Sequence, residues 1–202
     1  MAITLKSPAD IEKLRISGRM VAEVLAMIAD HVRPGVTTNE LDAICNRFIV
    51  NELKAVPANV GYMGFPKTIC ASVNHVVCHG IPGPKELKDG DIINIAIIKD
   101  SYFGDTSRMY HGGTPNKEAQ RLVATTYKAM VAGIREVKLG ARLATSARRS
   151  RRSRIAKAFP SCASTADTAS GVFITKIRRC CITANAARAC ASSTALSSSS
   201  NR

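Results

Sequence analysis

Residues 68–113 read TICASVNHVVCHGIPGPKELKDGDIINIAIIKDSYFGDTSRMYHGG, and the periodicity of this stretch decides the fold class. Thr68 to Val77 and Asp91 to Ile98 are rich in β-branched residues and bounded by turn signals such as Lys88-Asp89-Gly90-Asp91, so both read as strands. Ser101 to His111 is a third strand candidate, closed by Gly112-Gly113.

The flanks read as helices. Upstream, Ser7-Pro8 is an N-cap followed by proline at the first helical position, where its missing N–H costs nothing. Ile11, Leu14, Val21, Val24, Leu25 and Ile28 then recur at helical spacing as far as Pro34-Gly35. Thr37-Thr38-Asn39-Glu40 is a capping box, opening a helix whose buried face is Leu41, Ile44, Cys45, Phe48 and Ile49. Downstream, Thr114-Pro115 caps a helix with Leu122, Val123, Tyr127, Met130, Val131 and Ile134 on one face. Helix, helix, strands, helix is an α+β order with antiparallel pairing, not a wound βαβ sheet.

Composition separates this part from the remainder of the chain. Aromatics are 4% of the 202 residues and tryptophan is absent, which argues against a β-sandwich on aromatic anchors. The net charge of +14 is uneven: residues 141–202 carry 12 of the 29 Lys/Arg and a single acid, Asp167. In those 62 residues Ala, Ser, Thr and Arg make 42, the charge run spans Arg148 to Arg154, and Ser197 to Ser200 is low complexity. Such a segment has little to bury, so the composition predicts a tail without a core over 144–202, behind a domain at 1–143. No run approaches the roughly 18 apolar residues of a membrane span, and the N-terminus lacks a signal-peptide h-region, so the expectation is a cytoplasmic protein with no membrane partner. The seven cysteines form no CxxC pair and are expected to be free thiols.

Two residues carry the chemistry. His79, in Val77-Cys78-His79-Gly80-Ile81-Pro82, stands at the end of a β segment, where a strand delivers side chains into a cleft. Asp105, in Phe103-Gly104-Asp105-Thr106-Ser107, stands at a turn. Each alone reads more readily as a turn residue. Together and in order, with SPADIEKLRISGRMVAEVL, GYMGFPKTICASVNHVVCHGIP, LKDGDIINI and FGDTSRMY, they resemble the type I methionine aminopeptidases from residue 1 to about Leu143.

The resemblance implies the N-terminal half of a pita-bread α+β fold. It also implies a site for two divalent metal ions (Co, Mn, Fe, Zn or Ni) held by two Asp, one His and two Glu. That site would remove the initiator methionine from nascent proteins, two metals lowering the pKa of a bridging water and polarising the carbonyl. By motif, His79 is the substrate-side histidine, Asp105 the bridging aspartate, and Tyr62, Phe65 and Cys70 candidates for the methionine pocket. Implied partners are N-terminal Met peptides or nascent chains, with association with the ribosome, and the intact family implies a monomer.

The chain departs from the family pattern twice. The family reads Asn-Ile-Asp-Val-Thr-Val-Ile-Lys-Asp where this chain has Asn94-Ile95-Ala96-Ile97-Ile98-Lys99-Asp100, so two residues are missing and Ala96 replaces the first ligand aspartate. Losing an even number preserves strand alternation, and the sheet is expected to tolerate it. The second departure is the tail. Cys162 to Gly171 can be written TGC GCG AGT ACT GCG GAC ACG GCA TCG GGC. Read from the last base of Ser161 (TCG), these codons spell Val-Arg-Glu-Tyr-Cys-Gly-His-Gly-Ile-Gly. With synonymous third bases chosen to suit, the reading continues through Thr183 as Arg-Val-Tyr-His-Glu-Asp-Pro-Gln-Val-Leu-His-Tyr, which resembles the family's histidine motif and the segment after it. Ala144 to Ser150 likewise hides Gly-Asp-Ile-Gly-Ala-Ala-Ile. The sequence therefore points to a frameshifted aminopeptidase that has lost most of its metal site, holds no metal pair and is inactive as written. The alternative is a non-catalytic binding protein with a polybasic C-terminal arm for RNA or anions. Such an arm would bind nucleic acid only non-specifically, through counterion release. The tail holds Phe159 and Phe173 but no Tyr or Trp, so it offers few stacking platforms.

Overall fold

The computed structural model describes residues 6–99, 102–141, 145–146, 148–150, 152, 166–169 and 178–181. They divide into two compact units, the first ending at Asn116 and the second beginning at Lys117. The sequence boundary at 143/144 lies outside the described residues.

In the first unit, helix α1 spans Pro8–Ile28. Its start is a closed capping box: the Ser7 Oγ accepts from the Asp10 amide, and the Asp10 carboxylate accepts from the Ser7 amide at 3.0 Å. The same device opens helix α2, Thr38–Arg47, through Thr37 and Glu40. A π-turn over Phe48–Glu52 carries α2 on, burying Ile49. The two helices pack on one face of an antiparallel sheet of order β1-β2-β3, with β1 Ile69–Val73, β2 Asp91–Lys99 and β3 Gly104–Gly112. From Ile93 to Ile97 burial along β2 alternates, and Ile93, Ile95 and Ile97 are fully buried. They meet Val21, Val24, Leu25 and Ile28 of α1 and Leu41 and Cys45 of α2 in one core. Each such isoleucine contributes roughly 1.5–3 kcal/mol by leaving water. Tyr110 enters the core from β3 and donates its hydroxyl to the Leu25 carbonyl at 2.6 Å.

The sheet keeps its register through the stretch where the family pattern is two residues longer. β2 and β3 pair without interruption from Asp91↔Gly112 to Lys99↔Gly104. This continuous pairing agrees with the expectation that the sheet tolerates the loss.

The structure departs from the sequence reading at β1, at β3 and along α1. β1 ends at Val73 rather than Val77, because Asn74 takes a left-handed turn (φ +53°) and ties its side chain to Asp91 and to the Ile92 amide. β3 starts at Gly104 rather than Ser101, since Tyr102 and Phe103 form the turn. In α1 the apolar face starts late: Ile11 is exposed and Ser17 is the first buried residue.

In the second unit, helix α3 spans Lys117–Ile134. Its buried line is Thr125, Ala129 and Gly133, whereas Leu122, Tyr127, Met130 and Ile134 are exposed, contrary to the face expected from hydrophobicity. Small size explains the reversal. A Cβ on Gly133 would lie 3.2–3.3 Å from atoms of Ser146 and Ser150, and the Ser146 hydroxyl donates to the Gly133 carbonyl at 2.7 Å. A branched side chain there would hold that segment off. The helical residues 145–146, 148–150 and 152 fall in the Ala/Arg stretch where helix is locally favoured. Strands β4 (Ala166–Ala169) and β5 (Arg178–Cys181) pair antiparallel, which the sequence reading did not foresee.

Candidate active site

With Ile93, Ile95 and Ile97 turned into the core, the alternate residues of β2 face the other side of the sheet. The register then fixes that outer face. Ala96 lies between Cys70 of β1 and Ser107 of β3, and Asn94 lies between Ser72 and Met109. Asp105 stands opposite Ile98, and so diagonally next to Ala96. The Asn94 side-chain Nδ2 donates to the Ser107 hydroxyl at 3.4 Å.

His79 reaches this face from the loop that follows β1. After Asn74 the chain doubles back, so that the Gly80 carbonyl accepts from the Ala71 amide at 2.8 Å and the Gly80 amide donates to the Ser72 hydroxyl at 3.2 Å. Only glycine fits at position 80, because a Cβ would fall on the Ala71 carbonyl. His79 itself is held at φ +54°, a conformation that costs a non-glycine residue of order 1–3 kcal/mol and that clusters at functional sites.

The result is a cluster of ionisable groups. Loss of water pushes the Asp105 carboxyl above its ordinary value, and the nearby His79 charge opposes the shift. Burial, then the neighbouring Cys78 and Asp105, push the half-buried Cys70 thiol up. Of the residues singled out in the sequence, Asp105 is within electrostatic reach of both His79 and Cys70, and Cys70 pairs across the strands with Ala96. Tyr62 and Phe65 belong to a separate, half-buried segment that leads into β1. Cys78, Asn94 and Ser107 were missed. The alternation from Ile93 to Ile97 could have revealed Asn94 and the partners of Ala96, had the register been known.

The donor set can be tested against a metal directly. Among the described residues, no group of three or more His, Cys, Asp or Glu side chains comes together to hold a metal ion. On the outer face the carboxylate is Asp105, and its diagonal neighbour is the methyl group of Ala96. These residues do not fit a pair of divalent ions, which takes several oxygen ligands per ion.

Residues 12–168 match metallopeptidase family M24. The methionine aminopeptidase of Salmonella typhimurium is 53% identical over 148 residues, covering 72% of this chain and 56% of the relative. That of Escherichia coli K12 is 53% identical over 146 residues, covering 71% and 55%. The chain thus spans just over half the length of the curated relatives it matches. Among solved structures, methionine aminopeptidase from Rickettsia prowazekii superposes with a TM-score of 0.82 at 40% identity, covering 85% of this chain and 70% of that one. A Xaa-Pro dipeptidase from Bacillus anthracis shares the fold at a TM-score of 0.65 and 18% identity, covering 76% and 42%. The helices and sheet described above are the N-terminal part of the pita-bread fold. By the match to more than half of its length, the chain belongs to metallopeptidase family M24.

Proposed function

We propose that this polypeptide is the N-terminal portion of a methionine aminopeptidase, a cytoplasmic hydrolase that removes the initiator methionine from nascent chains, and that the chain as written does not perform the reaction. The observation that carries the second half is the outer face of the sheet. The resemblance assigns the two aspartate ligands to positions 96 and 105, and the register makes those positions diagonal neighbours on adjacent strands. In this chain one of them is alanine. With the register unbroken, Ala96 stays on the outer face, and no rearrangement of the sheet supplies the missing carboxylate.

His79 and Asp105 retain what their positions allow. The imidazole can donate a hydrogen bond to a peptide carbonyl placed over the sheet, and the partly desolvated carboxylate can accept from an amine. Binding and orientation follow from those contacts; hydrolysis does not, because among the described residues no group of three or more His, Cys, Asp or Glu comes together to hold a metal that would activate water.

The tail belongs to the same reading. Over Ala144 to Ser150 and Ser161 to Thr183 its residues follow from family codons read one base late, with the histidine ligand encoded across Asp167 and Thr168. The length of the match to the curated relatives supports a change of frame near Leu143, while the family match runs on across it. Sequencing the coding DNA around codon 143 is the direct test. A missing or extra base there, or an uninterrupted aminopeptidase frame on either side of it, is the expected result. Codons incompatible with the hidden reading would end it.

A further inference from the structure

Thr68, two residues before Cys70, has all three of its polar groups bound by side chains. Its amide donates to the Asp42 Oδ1 at 2.8 Å, its carbonyl accepts from the Asn59 Nδ2 at 2.8 Å, and its hydroxyl accepts from the Asn46 Nδ2 at 2.7 Å. The Ile69 amide adds a second bond to Asp42 at 3.0 Å. Thr68, Asp42 and Asn59 are all buried.

Among the described residues, this node anchors the segment that leads into β1. Between Ala55 and Thr68 one side chain is buried, and it is polar: Asn59. Around it the backbone is a series of turns, with Gly61, Met63 and Gly64 at positive φ and Met63 90% exposed. The Asn59 carbonyl accepts from the Tyr62 amide at 3.1 Å, and the Phe65 carbonyl from the Gly61 amide at 2.8 Å. The placement of Tyr62 and Phe65 relative to β1 therefore runs through Asn59 to Thr68, and from Thr68 to Asp42 on α2. An apolar plug would bury this corner without the cost of desolvating a carboxylate. Directional bonds fix an orientation that apolar packing leaves free.

We propose that Asp42 is a positioning residue: acting through Thr68 and Asn59, it sets how the Tyr62–Phe65 segment lies against the strand that carries Cys70. Its meaning for recognition rests on the reading of Tyr62 and Phe65 as pocket wall; the positioning itself does not. The node also separates the jobs of its members. Asp42 holds the start of β1 to α2, and Asn59 holds the loop to β1. Removing Asn59 frees the loop alone, whereas removing Asp42 frees both.

The four tyrosines, Tyr62, Tyr102, Tyr110 and Tyr127, allow a test in the full 202-residue chain labelled with 3-fluorotyrosine. Asn59→Ala and Asp42→Ala are expected to displace or broaden the Tyr62 fluorine line while the core reporter Tyr110 stays in place. Asp42→Asn, which keeps an acceptor oxygen, is expected to return Tyr62 most of the way to its original position. Hydrogen exchange at the Thr68 and Ile69 amides should rise about tenfold in Asp42→Ala and not in Asn59→Ala. If Asp42→Ala fails to fold, the Asn59→Ala and Asp42→Asn comparison still decides. A Tyr62 line unmoved by Asn59→Ala, or a Tyr110 line that moves as much as Tyr62, overturns the proposal. Titrating the unsubstituted chain with methionine amide reads the pocket separately: a Tyr62 line that ignores the ligand counts against the pocket, not against Asp42.

Discussion

Asp10 uses both oxygens of its carboxylate. One accepts from the Ser7 amide and hydroxyl, closing the cap of α1; the other accepts from the Tyr102 hydroxyl at 2.8 Å, in the turn that leads into Asp105. Lys13 lies over the Tyr102 ring at 4.9 Å. The Ser7 and Tyr102 bonds hold the Asp10 carboxyl down to about 2, from an ordinary value of 3.8. A depressed carboxylate stabilises the fold above its unfolded pKa, and the contribution is lost as pH falls through the folded value. The cap and the Tyr102 bond should therefore hold at pH 5 and loosen between about 4 and 2, as a carboxyl-carbon NMR titration of Asp10 would show. A midpoint near 3.8 would mean that neither bond forms in solution. The cysteines give a second residue-scale test. Burial first, and then the Asp42 charge, push the Cys45 thiol up to about 12, while Cys78 is exposed. Brief iodoacetamide treatment at pH 8, read peptide by peptide, should label Cys78, spare Cys45 and leave Cys70 between them. The capping boxes were legible in the sequence because donor and acceptor are three residues apart. Asp42 was not, because its partners Thr68 and Ile69 come 26 and 27 residues later and its only local mark is a polar residue beside the apolar stripe of α2.

At the scale of elements, the β2–β3 hairpin and α1 meet where backbone touches backbone. A Cβ on Gly104 would lie 2.6 Å from the Ser17 carbonyl, so Gly104→Ala must push the hairpin off the helix. The expected loss is about 1–3 kcal/mol in urea unfolding, typical of overpacking. Gly18, one residue on from Ser17, has nothing within 4 Å of its would-be Cβ. Gly18→Ala should stabilise by roughly 0.5–1 kcal/mol, the ordinary helix preference. Equal effects of the two substitutions would contradict the close approach. Local pattern, here β-branched content between turn signals, located β2 almost to the residue. It misjudged α3, where the buried line is Thr125, Ala129 and Gly133. Hydrophobicity counts area, and that contact is made by the absence of side chains. It also overran β1, since Asn74 turns the chain through a side-chain bond to Asp91, a residue the local pattern cannot pair with it. That same turn brings His79 back to the sheet, so the nearness of His79 to Asp105 was available in advance only through resemblance.

For the whole molecule, charge and chemistry part company. The basic excess sits beyond residue 140, away in sequence from His79, Ala96 and Asp105. Its expected consequence is non-specific polyanion binding that weakens steeply with salt, whatever the first 140 residues do. Among the described residues no helix is long and apolar enough to cross a membrane. The fold of the N-terminal part is that of the family, and the proposed loss of activity rests on Ala96 at the first aspartate position. The most direct test is to assay the purified 202-residue chain on a Met-Ala-Ser peptide with added Co²⁺ or Mn²⁺. The expected result is no methionine release above a blank lacking protein, and no stoichiometric metal binding in a parallel calorimetric titration. Release that scales with the protein and disappears in Asp105→Ala would contradict it.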